Sequence, residues 1–434
     1  MKNLARFFSI VEMTKQVPRY GWTTVGFANE EIDTLAEHHF MVTMMTLLLA
    51  TDMESRGMKI DVRKSITMSL GHDLSELFGG DVATPLGMVN PEIKRLSRII
   101  EAHTTNYLGD MLKNPALKED FQSWCDEERE QKTDEAKLVK LADRLEAELY
   151  KETRYRPVRY TERNKKYVEK AILSIPPAMK DKDIQKYCSD FAHCLLEAVQ
   201  KKELRNAPRE RLTDPTKKVP QMRGLADLCA ILQISKEMPR YGWGFARFSL
   251  KEMDKISEHN YVLAVMSLLV TSEIERLGIK VDVRRTIEMS LIHDLSKLFG
   301  GDLSAPWAQA NPDIRAAANE IKKTAISLLA TISGNPKLQS MIEERYLEAS
   351  ENKTDEAILV RILGQLEDYL YREIVRRPKY TEKDTEYIKK NISSFVEKLS
   401  DAKLQQFVQK LIDDLVELIH SEELRHSPLY FQEK

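Results

Sequence analysis

Residues 68–85 read MSLGHDLSELFGGDVATP, and residues 289–306 read MSLIHDLSKLFGGDLSAP. Thirteen of these eighteen positions are identical, and the two stretches are 221 residues apart. The same offset relates VPRYGW to MPRYGW and KTDEAKLVKLADRLEAELY to KTDEAILVRILGQLEDYLY. A period this long indicates a duplicated domain, because solenoid repeats have units of about 20–50 residues. The sequence therefore predicts two similar domains in tandem.

The repeat also predicts where the domains end. The first domain covers residues 1–206 and the second covers residues 219–434. Residues 207–218, APRERLTDPTKK, are polar, contain two prolines and lack apolar periodicity. That composition is typical of a linker.

Helical signals occur throughout each copy. Apolar residues recur near a 3.6-residue spacing between Thr34 and Arg56. Asn90-Pro91 and Thr133-Asp134 are typical of helix starts, and no segment shows the alternation of a strand. We predict an all-α protein in which each domain is a bundle of about six or seven helices.

Composition narrows the functional classes. The chain has 434 residues, of which 42% are hydrophobic, and a formal net charge of −2. This balance gives no support for general nucleic-acid binding, which normally requires a basic excess. The four cysteines form no CxxC pair, and no apolar run reaches the length of about 18 residues that a membrane helix needs. The N-terminus also lacks the apolar core of a signal peptide. We expect a reduced, cytoplasmic setting without a membrane partner.

Four residues of the first domain could bind a metal: His38, the adjacent pair His72-Asp73, and Asp143. Histidine and carboxylate are the usual ligands of a divalent metal at a hydrolytic site. A His-Asp pair is common by chance, however, and a structural histidine is the simpler interpretation of any of these taken singly.

The full constellation resembles the HD domain superfamily, and most closely its HD-type 5′-deoxynucleotidases. The similarity extends over residues 17 to about 150. It includes Glu37-His38, the segment HDLSELFGGDVATP, Lys140-Leu141-Ala142-Asp143, and an N-terminal Arg19 that precedes Trp22. In the family this Arg and Trp tend to be adjacent, whereas Tyr20 and Gly21 separate them here.

The resemblance implies a role for each matching residue. His38, His72, Asp73 and Asp143 would hold one divalent metal, which could be Mn, Co, Mg, Zn, Fe or Ni. Glu76 would transfer a proton to the leaving 5′ oxygen, and Asp81 would orient the attacking water or the sugar. Substrate-binding candidates are Arg19 for the phosphate, Thr84, and Trp22, which either covers the base or packs.

Two other histidines of the first domain are not assigned as ligands. His39 is expected to point about 100° away from His38 around the helix, which favours a supporting or surface role. His103 has no histidine at the corresponding place in the second domain, and we expect it on the surface.

The second domain is predicted to be a degenerate copy. It keeps Arg240, His259, His293, Asp294 and Asp302. Gly364 replaces the ligand Asp143, however, and Lys297 replaces the carboxylate of Glu76. We expect a structural or regulatory domain that forms an internal pseudo-dimer with the first; the alternative is a non-catalytic nucleotide site that uses Arg240.

The resemblance implies a metal-dependent phosphohydrolase, most simply a 5′-nucleotidase that acts on (deoxy)nucleoside 5′-monophosphates. Another HD-type hydrolase (a phosphodiesterase, a triphosphohydrolase or an alarmone hydrolase) and a non-catalytic nucleotide-sensing scaffold are the alternatives. The chain could also form a homo-oligomer.

Overall fold

The computed structural model describes residues 1–80, 90–154, 162–214, 217–302, 311–376 and 381–426. Within these ranges the regular elements are helices, joined by short 3₁₀ turns and two isolated β-bridges, Pro18 to Thr34 and Pro239 to Lys255. The predicted all-α class is thus confirmed. Asp81 and Thr84 lie outside the described residues.

The first half is a bundle whose helix starts match the capping signals of the sequence. Thr34 and Glu37 form a capping box, and Asp61, Asn90 and Thr133 each accept a backbone N–H at the start of a helix. Its helices are α1 (Lys2–Glu12), α2 (Leu35–Ser55), α3 (Val62–Gly71), α4 (Glu76–Gly79), α5 (Pro91–Met111), α6 (Pro115–Glu130), α7 (Asp134–Thr153), α8 (Glu162–Leu173) and α9 (Lys182–Gln200).

The second half repeats this order. A short helix, α10 (Ala207–Thr213), precedes it within the predicted linker. The guanidinium of the buried Arg211 donates hydrogen bonds to the carbonyls of Lys217 and Ile332 and so ties this segment down. The remaining helices are α11 (Gln221–Leu232), α12 (Ile256–Arg276), α13 (Val283–Ile292), α14 (Lys297–Gly300), α15 (Pro312–Ile332), α16 (Pro336–Glu351), α17 (Asp355–Arg376), α18 (Glu382–Val396) and α19 (Ala402–His420).

The two central helices, α2 and α12, are buried on nearly every face. Leu35 to Met53 of α2 are all buried, although the sequence indicated a single apolar stripe. A helix that is buried all round belongs in a core rather than on a surface. The second face of each helix is covered by the other half, because α2 and α12 pack against each other.

The halves exchange their N-terminal helices. α1 lies mainly against α12, α17 and α19 of the second half. In return, α11 packs against α2 and α9 of the first half as well as against α15 of its own. Each half therefore supplies part of the other half's core.

Paired salt bridges repeat across the interface. Arg63 binds Glu275 at 2.6 Å, and Arg284, the equivalent arginine, binds Glu54 at 2.8 Å. Each half thus supplies the equivalent arginine and the equivalent glutamate to one of these two contacts. None of the described helices is both long and apolar enough to cross a bilayer.

Candidate metal centre

Four side chains from two helices and one turn meet at a single point in the first half. His38, His72, Asp73 and Asp143 each offer one ligand atom, and these atoms all lie within 4.8 Å of one another. The Nε2 of His38 is 3.3 Å from that of His72 and 3.4 Å from Oδ1 of Asp143, and Asp73 Oδ2 is 3.4 Å from His72 Nε2. This geometry suits one divalent ion.

The local structure explains how adjacent residues reach the same point. α3 ends at Gly71, and residues 72–75 form a turn before α4 begins at Glu76. His72 and Asp73 therefore lie past a helix end, where the angle of about 100° between neighbours on a helix no longer separates them. His38 comes from α2 and Asp143 from α7.

Both histidines are oriented through their second ring nitrogen. His72 Nδ1 is 2.7 Å from the carbonyl of Ser69, and His38 Nδ1 is 2.8 Å from Oε2 of Glu146. Each acceptor requires a proton on Nδ1, which leaves the lone pair of Nε2 directed at the metal position. The donor set and its orientation therefore fit a metal.

Electrostatics favour the coordinating form of three of the four ligands, His72, Asp73 and Asp143, whereas Asp143 and Glu146 outweigh burial and raise the pKa of His38. Burial lowers the pKa of His72, which favours the neutral imidazole. Burial alone would raise the pKa of Asp143, but Lys140, with Nζ 2.9 Å from Oδ2, and a hydrogen bond with His38 hold it well below its usual range. Burial also opposes ionisation of Asp73, yet His72 lowers its pKa.

A lysine from the second half completes the surroundings of His38. Lys236 is fully buried, and its Nζ is 2.7 Å from Asp33 Oδ2 and 2.6 Å from Glu146 Oε1. Gln233 also donates to Glu146 Oε1, at 3.0 Å. The carboxylate that orients a candidate metal ligand is thus held by the 3₁₀ turn that follows the exchanged helix α11.

The same arrangement occurs in reverse. Lys15, which corresponds to Lys236, inserts into the second half, where its Nζ lies 2.9 Å from Asp254 and contacts Glu367. Glu367 in turn contacts His259 Nδ1 at 2.6 Å. Our sequence analysis missed both networks. The sequence does carry a signal for them, because the Lys, Asp and Glu of one network recur in the other at the 221-residue offset.

Arg19 and Glu76 lie beside the four ligands. Arg19 Nη1 is 3.7 Å from both Asp33 and Glu146, and it is buried without a hydrogen-bond acceptor among the described residues. Burial opposes the charge of Arg19, but Asp33 and Glu146 outweigh it and raise the pKa, with a further contribution from Glu76. The half-buried Glu76 begins α4 and lines a small cavity of about 80 Å³ with Glu101.

Trp22 is placed for packing. Its ring is buried against Phe27 and Tyr150, and its indole N–H donates to Asp33 at 2.7 Å. The Arg19 guanidinium lies 5.3 Å from the ring centroid, within the range of a cation–π contact. The ring therefore supports Arg19 and Asp33 from behind.

The two remaining histidines differ in burial. His39 is fully buried, and its Nδ1 is 2.9 Å from the hydroxyl of Tyr261 of the second half. Burial holds its pKa well below the usual range, so the ring stays neutral in a supporting position. His103 is exposed, as expected.

Among the described residues of the second half, only three of the four equivalent ligand positions carry a ligand. His259, His293 and Asp294 still converge. Gly364 offers no ligand, and Lys297 Nζ lies 2.8 Å from Asp294 Oδ2, where it neutralises the remaining carboxylate.

Each half of the chain matches a known protein family. A family model described as YfbR-like 5′-deoxynucleotidase matches residues 6–192, and an HD domain model matches residues 232–409. The 5′-deoxynucleotidase HDDC2 of Danio rerio is 30% identical over 166 residues, which cover 37% of this chain and 76% of that protein. The chain belongs to the YfbR-like 5′-deoxynucleotidase family. The resemblance seen in the sequence is confirmed, with HD-type domains in both halves.

Two further relatives of this family show a similar degree of likeness. The 5′-deoxynucleotidase HDDC2 of Xenopus laevis is 30% identical over 162 residues, or 36% of this chain and 74% of that protein. A 5′-deoxynucleotidase of Photorhabdus laumondii, plu3092, is 29% identical over 143 residues, or 33% of this chain and 70% of that protein. Each of these matches spans less than half of the present chain.

Proposed function

We propose that this chain hydrolyses the 5′-phosphomonoester of deoxynucleoside monophosphates in its first half, releasing nucleoside and inorganic phosphate. The observation that carries this proposal is the convergence of His38, His72, Asp73 and Asp143 beside Arg19 and Glu76. The family to which the chain belongs supplies the substrate class.

The four ligands would hold one divalent metal. The donor set has two imidazole nitrogens and two carboxylate oxygens. Such a set suits Mn, Co, Fe, Ni or Zn better than a site made of oxygen atoms alone would. Mg is also among the ions that we propose. When bound, such an ion polarises a phosphoryl oxygen and lowers the pKa of a coordinated water.

The side chains around the metal would divide the rest of the work. The free Nη1 of Arg19 would donate to phosphate oxygens, because a guanidinium fits a phosphate as a planar fork. Glu76 would give a proton to the leaving 5′ oxygen. Asp81 and Thr84 remain proposed for orienting water or sugar and for substrate contact. Trp22 would act through its packing against Arg19.

We further propose that the second half is a structural partner that performs no hydrolysis. Its contribution to the first centre is Lys236, which holds Glu146, and Tyr261, which holds His39. This arrangement would be an internal pseudo-dimer. The whole chain could in addition form a homo-oligomer. The four cysteines are free thiols, which supports a reduced cytoplasmic setting.

The proposal is tested by phosphate release from a panel of nucleotides. Metal-free protein is supplied separately with each candidate ion and offered mono-, di-, tri- and cyclic phosphates of deoxynucleosides and ribonucleosides. We expect turnover of deoxynucleoside monophosphates only. Preferential turnover of a cyclic nucleotide or a triphosphate would place the chain in another HD hydrolase class, and no turnover with any ion would refute an enzymatic role.

A further inference from the structure

The second half contains a cavity at the position of the degenerate metal centre. Its volume is about 290 Å³, and His259 and His293 line it together with Lys297 and Gly364. Small-molecule pockets are typically about 300–1,000 Å³, so the cavity lies near the lower end of that range. The loss of the metal set has therefore left a ligand-sized space.

The side chains around this cavity carry more net positive charge than the equivalent side chains of the first half. Four cations and two carboxylates line it, a formal excess of two positive charges: Arg240, Lys297, Lys322, Arg361, Asp294 and Asp368. At the same positions in the first half, 221 residues earlier, five cations are balanced by five carboxylates. A divalent ion would bring the first site to the same excess of two.

Four substitutions account for the lost carboxylates. Lys297 and Lys322 stand where the first half has Glu76 and Glu101, and Ala349 and Gly364 stand where it has Glu128 and Asp143. Three arginines are also lost and one aspartate is gained. The net result is that side chains of the second cavity carry the excess positive charge that a bound metal ion would supply in the first half.

Several donors of this cavity are still available. Lys322 and Arg361 have no carboxylate partner in the part of the chain that the structure describes, and the guanidinium of Arg361 lies 5.6 Å from the ring centroid of Phe395. The Nε of Arg240 is buried without an acceptor, although its Nη1 lies 2.8 Å from Asp368, 3.5 Å from Asp254 and 3.8 Å from Glu367. Lys297 is shared between Asp294 and Asp302, at 2.8 and 3.2 Å.

We propose that this cavity binds a phosphomonoester dianion without a metal and without hydrolysing it. Lys322, Arg361 and Arg240 would donate to the phosphate oxygens, and Lys297 would supply the charge that the metal supplies in the first half. Cleavage does not follow, because a cation replaces the carboxylate that would protonate the leaving oxygen. Only the choice of a nucleotide as one probe rests on the proposed function.

The test is a calorimetric titration of the full chain in excess EDTA with inorganic phosphate and with 2′-deoxyadenosine 5′-monophosphate. We expect binding of one dianion per chain, because the charges around the first site cancel when no metal is present. Lys322→Glu, which restores the residue of the first half, should weaken binding about tenfold or more. The matched control is Lys323→Glu, since this exposed neighbour pairs with Glu320 and does not line the cavity.

The outcomes separate this inference from the proposed function. Binding of either probe in EDTA that Lys322→Glu weakens and Lys323→Glu spares supports the site, whether or not the chain hydrolyses nucleotides with metal. The absence of binding of both probes at millimolar concentration, or equal loss in the two variants, overturns it. Thermal melting establishes that both variants are folded.

Discussion

Replacement of Lys236 by Met should damage a metal centre that belongs to the other half of the chain. The methionine removes the ammonium that lies 2.7 Å from Asp33 and 2.6 Å from Glu146 and leaves two buried carboxylates with Arg19 as their nearest cation, 3.7 Å away. Breaking a buried ion pair by removing one partner costs about 3–5 kcal/mol of unfolding free energy.

The effect on the metal should be separate from this loss of stability. Without Lys236, the charge of Glu146 favours the doubly protonated form of His38, in which Nε2 can no longer coordinate. Loss of a residue that supports a metal ligand typically reduces affinity or activity about 10–100-fold. We expect a loss of that size when metal-free protein is titrated with Co²⁺ and the absorption of the bound ion is followed.

Lys15→Met provides the matched control. It removes the equivalent lysine, which is also buried and pairs with Asp254 and Glu367 of the second half and with Glu12 of α1. The free energy of unfolding should fall by at least as much, because three buried carboxylates lose their cation, while Co²⁺ affinity and turnover stay near the wild-type values. Unchanged or tighter Co²⁺ binding by folded Lys236→Met, or an equal loss in Lys15→Met, would refute the reasoning.

Three further predictions concern single features. Glu76→Ala should keep its metal but lose about 10²–10⁴-fold in turnover, as measured by phosphate release, and wild-type turnover would remove Glu76 from proton transfer. The double variant Gly364→Asp with Lys297→Glu should take up a second metal ion per chain in metal analysis, because a Cβ at position 364 meets only Leu263 at an ordinary 3.7 Å; a stoichiometry of one would contradict this. Burial and the neighbouring Glu37 raise the pKa of Glu258 to about 8, so the folded state holds a proton that the unfolded state releases above about pH 4.3. The free energy of unfolding should therefore fall as the pH rises from about 4.3 to about 8. The melting temperature should fall less over this pH range in Glu258→Gln than in the wild-type protein. The same fall in both proteins would show that Glu258 is ionised in the folded protein.

Much of the fold and the metal set could be predicted from local sequence signals. Capping residues such as Thr34 and Asp61 act within one helical turn, and the helices begin where these residues indicate. The last helix of the first half, α9, ends at Gln200, and Lys202 just beyond it adopts a positive φ of 59°. The loss of a ligand at Gly364 and of a carboxylate at Lys297 could be predicted because the first copy of the repeat shows which residues stand at the equivalent positions.

The exchange of N-terminal helices could not be predicted in this way. The apolar pattern of α1 and α11 shows that each helix is buried, but a pattern does not identify the partner that covers it. Lys236 is separated from Glu146 by 90 residues and from Asp33 by 203 residues. Its position in a buried ion network follows only from the packing of one half against the other.

The central claim is that hydrolysis takes place at the first centre and that the second half supports it without chemistry. The most direct measurement is the rate of phosphate release from a deoxynucleoside 5′-monophosphate by His72→Ala and by His293→Ala, with thermal melting to show that both are folded. The account predicts that His72→Ala abolishes release and that His293→Ala leaves it nearly intact. An equal loss of activity in the two variants would contradict it.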